Sequence, residues 1–135
     1  MNKKFRAWDV EKKRWVYFSI ERLARDPKMQ HYVAKSEIIV QFTGLLDKNG
    51  KEIYEGDILK VIIPNYIDDY IEAKVEFGNG CFGIRVIGNP ILNNVVGQFK
   101  AFNKNTKNIE IIGNIYENKE LLKLWNIKKT GTMKS

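Results

Sequence analysis

The chain has 135 residues, of which 44% are hydrophobic and 12% aromatic, so it can form a globular core and is not a disordered polymer. Its single cysteine excludes an internal disulfide and suits a reducing cytoplasm. The net charge of +7 comes from the two ends. Residues 1–14 carry six basic and two acidic groups, residues 119–135 carry five and one, and the body between them is close to neutral. Basic ends on a neutral body are more typical of a soluble protein than of a phosphate-binding groove.

The N-terminal segment predicts an antiparallel hairpin. Two aromatic-rich runs, Phe5–Trp8 and Arg14–Phe18, are joined by the charged residues 9–13. Interleaved basic and aromatic side chains suggest a stacking platform for single-stranded nucleic acid. The candidate contacts are Lys4, Arg6, Trp8, Arg14 and Trp15. The alternative, which we favour, is that alternate aromatic side chains pack inward while Arg and Lys cover the outer face.

A short helix is predicted next. Ser19 is a suitable N-cap for a helix over Ile20–Arg25, which Pro27 would end. Residues 26–36 are predicted to form an irregular connection, with the single histidine, His31, on its surface. Residues 37–42 then predict a strand.

The centre of the chain is dense in turn signals. Asn49 and Gly50 predict a two-residue type I′ turn, with Asp47 accepting hydrogen bonds from amides of the same turn. Residues 55–57 predict a second turn before the β-branched run Ile58–Ile63, which Pro64 ends. The predicted order is strand, tight turn, short extended segment, turn and strand.

This central run, Gln41–Ile58, resembles the signature of the YopX family of phage and prophage proteins. Lys4–Asp9 and Ile112–Asn118 resemble two further segments of that family, so the resemblance covers residues 4 to about 122. Lys119 stands where a proline often occurs in the family. The resemblance implies a phage origin and brings no catalytic residue to transfer. Its motif residues, which we expect to serve folding and not chemistry, are Phe5, Arg6, Trp8, Gly44, Asn49, Gly50, Tyr54, Gly56, Asp57, Gly113, Asn114 and Tyr116.

The second half of the chain begins with another predicted hairpin. Residues 72–77 alternate polar and apolar side chains, as a half-buried strand does. Gly78–Gly83 then matches G-x-G-x-x-G, the dinucleotide-binding fingerprint. That fingerprint must open a helix, whereas a β-branched run follows here. Asn79-Gly80 is instead a strong two-residue hairpin signal, so we predict a turn and no nucleotide site.

The last predicted elements are less regular. Residues 91–97 predict a loop, and residues 98–102 predict a short strand. Ile109–Tyr116 predicts the final strand, with Gly113 as a bulge or a point of close approach. Asn118 is a suitable N-cap for a helix whose apolar side would present Leu121, Leu122 and Trp125.

These patterns together predict one mainly β domain over residues 1–127 and a mobile basic tail over residues 128–135. We expect a small, partly open barrel, SH3-like or a pseudo-barrel, of about six to eight short strands with one or two short helices. The alternative is an α+β fold.

The sequence favours a non-catalytic accessory protein over an enzyme. His31 and Cys81 lie in unrelated segments, and the pair Asp68-Asp69 has no neighbouring ligands for a metal. We therefore expect no catalytic residues, no metal and no cofactor. The favoured function is protein interaction or self-assembly, with a homo-oligomer or a phage or host protein as partner. The alternative is a nucleic-acid-binding module that uses the basic termini and the N-terminal aromatic residues. Since apolar runs are short and no signal peptide is visible, we expect a location in the cytoplasm of a bacterial host and no membrane partner.

Overall fold

A computed structural model of the chain describes residues 3–63, 70–88, 97–102 and 104–120. Within them it has nine strands and two short helices, so the prediction of a mainly β fold is confirmed. The strands belong to two antiparallel sheets, and the described residues form no closed barrel. The predicted helix carrying Leu121, Leu122 and Trp125, the basic tail and most of the predicted 91–97 loop lie outside the described residues.

The chain divides into two compact units, residues 1–42 and residues 43–135. The first unit contains β1 (Lys4–Asp9), β2 (Arg14–Ser19), α1 (Ile20–Arg25), α2 (Pro27–Lys35) and the beginning of β3 (Ile39–Leu46). The second contains the end of β3, β4 (Glu52–Tyr54), β5 (Asp57–Ile62), β6 (Tyr70–Gly78), β7 (Cys81–Gly88), β8 (Phe99–Ala101) and β9 (Ile109–Asn114). The strand order is β2-β1-β3 in the first unit and β8-β7-β6-β5-β9 in the large sheet of the second.

The core of the first unit lies between the β1–β2 hairpin and the two helices. Phe5 is paired with Phe18 across the hairpin, and their rings stack at 5.6 Å between centroids. Ala7, Phe18 and Met29 are buried there, with Leu23 and other partly buried side chains packed against them. One face of the hairpin therefore packs inward, as the alternation of its apolar residues predicts.

The helices confirm one sequence prediction and correct another. The Ser19 hydroxyl accepts a hydrogen bond from the Arg22 amide at 3.2 Å and caps α1, as predicted. Residues 27–35 form the helix α2 and not the predicted irregular connection. Asp26 caps it by accepting from the amides of Lys28 and Met29, and Pro27 occupies the first turn. An Asx cap followed by proline begins a helix, because proline has the right φ and needs no hydrogen-bond partner there.

The core of the second unit is formed by alternate residues of its large sheet. Leu59 lies opposite Ala73, and Val75 opposite Ile84, on one face of three adjacent strands. The buried cluster comprises Ile53, Leu59, Ala73, Val75, Ile84 and Ile109. The strand predicted over residues 72–77 is thus confirmed as the centre of a longer one, β6.

The turn between β6 and β7 has the geometry that its sequence predicts. Asn79 has φ = 54° and Gly80 has φ = 81°, and Gly78 and Cys81 pair on either side of them. Two consecutive positive φ angles define a type I′ turn. The strand β7 follows where a dinucleotide fingerprint requires a helix, so the structure agrees with a hairpin.

The predicted type I′ turn at Asn49-Gly50 is wrong. Gly50 has φ = 82°, but Asn49 has a negative φ. The Asp47 carbonyl accepts from the Gly50 amide at 3.0 Å, and the Asp47 amide donates to the Lys51 carbonyl at 2.8 Å, which closes a wider loop. Asp47 Oδ1 also accepts from the amides of Asn49 and Lys51, and these bonds favour the wider turn.

The last strand contains the predicted bulge. Ile58 pairs with Gly113 while Leu59 pairs with Ile111, so Ile112 is an extra residue on β9. A Cβ atom at Gly113 would lie 2.5 Å from Asn118 Oδ1, which confirms the predicted close approach as well. Glycine is therefore required here by space and not by its backbone angle.

Candidate functional site

The predicted nucleic-acid contacts divide between the two faces of the N-terminal hairpin. Cross-strand pairs put Arg6, Trp8 and Trp15 on the face opposite the stacked Phe5 and Phe18. Arg14 pairs with Asp9 on the other face. The structure thus brings together four of the five predicted contacts, since Lys4 alternates with Arg6 along β1.

The side chains of that face contact one another. Trp8 and Trp15 have ring centroids 5.0 Å apart, and the Arg6 guanidinium lies 4.1 Å from the centroid of Trp15. Arg6 is only 7% exposed. The Lys4 ammonium lies 5.8 Å from the centroid of Phe42. This arrangement uses the cations to cover aromatic surface within the unit, which leaves Arg6 poorly placed to reach a phosphate.

A cleft of about 570 Å³ opens within the first unit. It lies between the end of β1 with its following loop and the end of α2 with its following residues. It is lined by Trp8, Asp9, Val10, Glu11, Lys12, His31, Tyr32, Lys35, Ser36 and Glu37. The sequence did not reveal this cleft because its second wall depends on α2, which was predicted as irregular chain.

A hydrogen-bonded pair forms part of the cleft wall. The Tyr32 hydroxyl donates to Asp9 Oδ2, and Asp9 Oδ1 accepts from the amides of Glu11 and Lys12, each at 3.1 Å. The bond from Tyr32, followed by the amide bonds, lowers the pKa of Asp9. The same bond and partial burial raise the pKa of Tyr32. Asp9 is therefore held ionised and Tyr32 protonated around neutral pH.

Groups of both charge signs surround this pair. Lys12, Lys35 and His31 line the cleft together with Glu11 and Glu37, and all five are exposed. Within the described residues there is no group of three or more His, Cys, Asp or Glu side chains that could hold a metal. The cleft can therefore bind a group through hydrogen bonds and charge.

The central motif residues lie in the second unit and organise its turns. Gly56 has φ = 89°, and a Cβ atom there would lie 2.8 Å from Tyr116 Cε2. Its amide donates to the Val75 carbonyl, and its carbonyl accepts from the Ile115 amide, both at 2.9 Å. The buried Asp57 accepts from the Tyr54 amide at 2.8 Å. This turn thus connects three separate parts of the second unit.

The motif near the end of β9 forms a similar turn. Asn114 is 7% exposed, and its Oδ1 accepts from the amides of Tyr116 and Glu117 at 3.0 and 2.8 Å. Asn118 Oδ1 in turn accepts from the Asn114 amide at 3.1 Å. These bonds fix the chain direction after the strand, which also places the Tyr116 ring against Gly56.

Asp47 is a residue of the central run whose full role the sequence did not reveal. It is 5% exposed, and beside its two bonds within the turn its Oδ2 accepts from the Ile111 amide of β9 at 3.1 Å. Burial acts to raise the pKa of Asp47, but the amides of Ile111, Lys51 and Asn49 outweigh it and hold that pKa below its usual range. The carboxylate therefore ties the turn to a strand sixty-four residues further along the chain.

Comparison with known proteins agrees with the motifs. The family model described as YopX protein matches residues 4–123. The chain belongs to the YopX family. The crystal structure of protein EF1440 from Enterococcus faecalis is similar to this YopX chain, with 25% sequence identity and a TM-score of 0.51. That similarity covers 89% of this chain and 97% of the other. No curated protein matches the sequence.

The motifs of this YopX chain and its cleft are distinct sets of residues with little overlap. Trp8 belongs to both, whereas the glycines, Asp57 and Asn114 lie in the second unit. No helix within the described ranges is long and apolar enough to cross a membrane. The chemistry that remains to be explained is that of the cleft in the first unit.

Proposed function

We propose that this YopX chain is a non-catalytic binding module whose cleft holds a segment of another protein. The observation that carries this proposal is the Asp9–Tyr32 pair. General acid–base catalysis needs groups with pKa values near the working pH. Here the pKa of the carboxyl is lowered and that of the hydroxyl is raised, so both move away from neutrality. The Asp9 carboxylate, held by Tyr32 and two backbone amides, is fixed in one orientation, which supports the positioning of a bound group.

A protein segment fits the cleft better than a nucleic acid does. The three carboxyl groups of Asp9, Glu11 and Glu37 lie along it and would repel phosphates, and they outnumber the two ammonium groups of the lining. Arg6, a predicted phosphate contact, is buried and packed on Trp15. Polar side chains of both charge signs are instead compatible with the polar rim of a protein interface.

Membership of the YopX family supports a choice of partner class. We propose a phage-derived accessory protein that acts in the cytoplasm of a bacterial host and binds a phage or host protein or a second copy of itself. Exposed apolar side chains on the first unit support association, among them Val10 at 64% and Tyr17 at 50% exposure.

Panning a displayed library of random peptides against the purified chain tests the proposal. Enriched peptides are synthesised, and their dissociation constants are measured by calorimetry. The double variant Val10→Ser/His31→Ala alters two exposed side chains of the cleft and should weaken binding roughly three- to tenfold. Lys28→Ala, on the same helix but outside the cleft, is the control and should bind as the wild type does.

The nucleic-acid alternative is tested by titrating single-stranded oligonucleotides at two salt concentrations. Phosphate contacts make affinity fall steeply as salt rises. Oligonucleotide binding with that dependence, together with no enriched peptide, would overturn the protein-binding proposal in favour of the alternative. If selected peptides bind, and neither the double variant nor Lys28→Ala changes their affinity, the binding surface lies outside the cleft.

A further inference from the structure

We propose that Asn79 is a site of spontaneous deamidation and that its reaction alters the end of the β6–β7 hairpin. The sequence contains two Asn-Gly pairs, Asn49-Gly50 and Asn79-Gly80, and all four residues are exposed. In an unfolded chain both pairs can react in the same way, because glycine has no side chain to shield its backbone amide. The folded structure distinguishes them. This inference goes beyond the proposed function and uses no residue of the cleft.

The reaction needs no partner other than water. The Gly80 amide nitrogen loses its proton and attacks Cγ of Asn79, and the new C–N bond closes a cyclic succinimide. The bond from Cγ to Nδ2 breaks, and Nδ2 takes up a proton and leaves as ammonia. Water then adds to one of the two ring carbonyls and breaks its bond to the ring nitrogen, which gives aspartate or isoaspartate at position 79. An amide is replaced by a carboxylate, and no group is oxidised or reduced.

The peptide group between Asn79 and Gly80 can rotate without breaking a hydrogen bond. Within the described residues, neither the Asn79 carbonyl nor the Gly80 amide takes part in one. The hairpin is closed on either side of them, where Gly78 pairs with Cys81. Rotation of this peptide group converts a type I′ turn into a type II′ turn, and both types fit the twist of a hairpin. It brings ψ of Asn79 to about −120°, which turns the Gly80 nitrogen towards the side chain that it attacks.

The peptide group between Asn49 and Gly50 is held in place by Asp47. The Gly50 amide donates to the Asp47 carbonyl at 3.0 Å, and the Asn49 amide donates to Asp47 Oδ1 at 2.8 Å. The Lys51 amide donates to the same carboxylate oxygen at 2.9 Å. Rotation or deprotonation of the Gly50 amide must first break its hydrogen bond, so this site reacts more slowly. The same two-residue sequence is therefore held in one turn and released in the other.

Reaction at Asn79 changes the turn that closes two paired strands. A type I′ turn has two central residues, and isoaspartate lengthens the backbone of one of them by a methylene group and adds a carboxylate. Phe77 and Phe82 pair next to the turn, with ring centroids 5.0 Å apart. Phe77 is 57% exposed, whereas Val75 and its partner Ile84 belong to the core. We expect the pairing to loosen at Phe77 and Phe82 and to persist from Val75 and Ile84 onwards.

The experiment is incubation of the full chain at pH 8 and physiological temperature, with samples digested and their peptides separated at intervals. Peptide mapping measures aspartate and isoaspartate at positions 49 and 79. We expect the rate at 79 to exceed the rate at 49 by roughly threefold or more, which corresponds to one hydrogen bond. In guanidinium chloride, where both turns are unfolded, the two rates should be similar. Asn79→Gln, whose longer side chain must close a larger ring, is the matched variant and should lose most of the acidic product.

A faster reaction at Asn49, or equal rates at the two sites of the folded chain, would overturn the inference. So would an intact Asn79 after a time in which the denatured chain has reacted completely. The consequence for the hairpin is measured on the isolated isoaspartate form by NMR. Amide resonances that shift at residues 77–82 support a loosened end, and an unchanged spectrum rejects it. Neither outcome depends on peptide binding by the cleft, so this failure and failure of the proposed function are distinguishable.

Discussion

At the scale of single residues, three glycines of the central motif have positive φ angles, but the atoms around them differ. Gly44 and Gly50, at 88° and 82°, have no heavy atom within 4 Å of the place where a Cβ would lie. Gly56 has the Tyr116 ring 2.8 Å from that place. The first two positions are therefore restricted by backbone conformation alone, and the third by conformation and space together.

Alanine substitutions separate these two effects. Gly50→Ala should lower the free energy of unfolding by about 1–2 kcal/mol, the penalty for a Cβ at positive φ. Gly56→Ala should cost roughly 1–3 kcal/mol more, since the Tyr116 ring must also move. Urea denaturation at pH 7 measures both losses. Equal losses would mean that Tyr116 yields without resistance.

Asp47 makes a pH-dependent contribution to stability. Its pKa in the folded chain is lowered below the value of about 4 expected in the unfolded chain. The contribution is therefore fully present above about pH 4 and is lost as the pH falls through the lower, folded value. Asp47→Asn should cost about 1–3 kcal/mol at pH 7, since an amide group turned towards Ile111 would set one N–H donor against another.

The measurement is urea denaturation at pH 7 and at pH 3. The difference between wild type and Asp47→Asn should shrink at the lower pH, because the stabilisation by the carboxylate decreases once the pH falls below the pKa of the unfolded chain. The acid sensitivity of the wild type alone cannot be assigned to Asp47, because the pKa of Glu76 is also lowered. Burial acts to raise that pKa, but Lys74 and Arg85 outweigh it. Glu110→Gln, which loses only the partly exposed bond to Lys48, is the control and should cost at most about 1 kcal/mol.

At the scale of elements, the loop of the β1–β2 hairpin contains a strained residue. Lys13 has φ = 52°, and Asn79 is the other non-glycine residue with a positive φ within the described ranges. Asn79 tolerates this angle in its type I′ turn, since a short polar side chain can form a local hydrogen bond, whereas a lysine side chain is not suited to one. The strain lies within the loop that forms one wall of the cleft.

Relieving this strain should stabilise the protein. We expect Lys13→Gly to raise the free energy of unfolding by about 1 kcal/mol, since glycine accepts a left-handed conformation freely. Lys12→Gly removes the same charge at a position without positive φ, and should instead lower stability by about 0.5–1 kcal/mol. Thermal melting of both variants checks the opposite signs.

The elements differ in how well local sequence determines them. The two hairpins of β1–β2 and β6–β7 were predicted because their alternation and turn residues are local. The sequence predicts an irregular connection in place of α2, although Asp26 and Pro27 carry a helix start signal. The polar side chains of Lys28, His31 and Lys35 favour that connection. The cleft could not be predicted, because it depends on Tyr32 reaching Asp9, a contact between residues far apart in sequence. The bond from Asp47 to Ile111 is hidden for the same reason.

At the scale of the whole molecule, charge distinguishes the two units. Residues 1–42 carry ten basic and five acidic groups, a net charge of +5. Residues 43–135 carry thirteen and eleven, a net charge of +2. The unit that contains the cleft is therefore the more basic one, and carboxylates are a minority there. Three of the five carboxylates of this unit nevertheless line the cleft.

The assembly state belongs to this scale, and we expect a homo-oligomer. Exposed apolar side chains and sheet edges favour self-association. Multi-angle light scattering should therefore give a mass at least twice that of one chain, which is 15.8 kDa. A mass of one chain across a wide range of concentrations would contradict this expectation and would restrict the partner to a different protein.

The contact between the central turn and β9 has a consequence for aggregation of the chain in the cell. Lys48 donates its amide to the Ile109 carbonyl at 2.8 Å, and Asp47 accepts from the Ile111 amide, so the turn covers the outer edge of β9. A strand edge left uncovered is a template on which other chains add as further strands. A variant with a weakened turn should therefore form inclusion bodies during expression, even where its free energy of unfolding in dilute solution is close to that of the wild type.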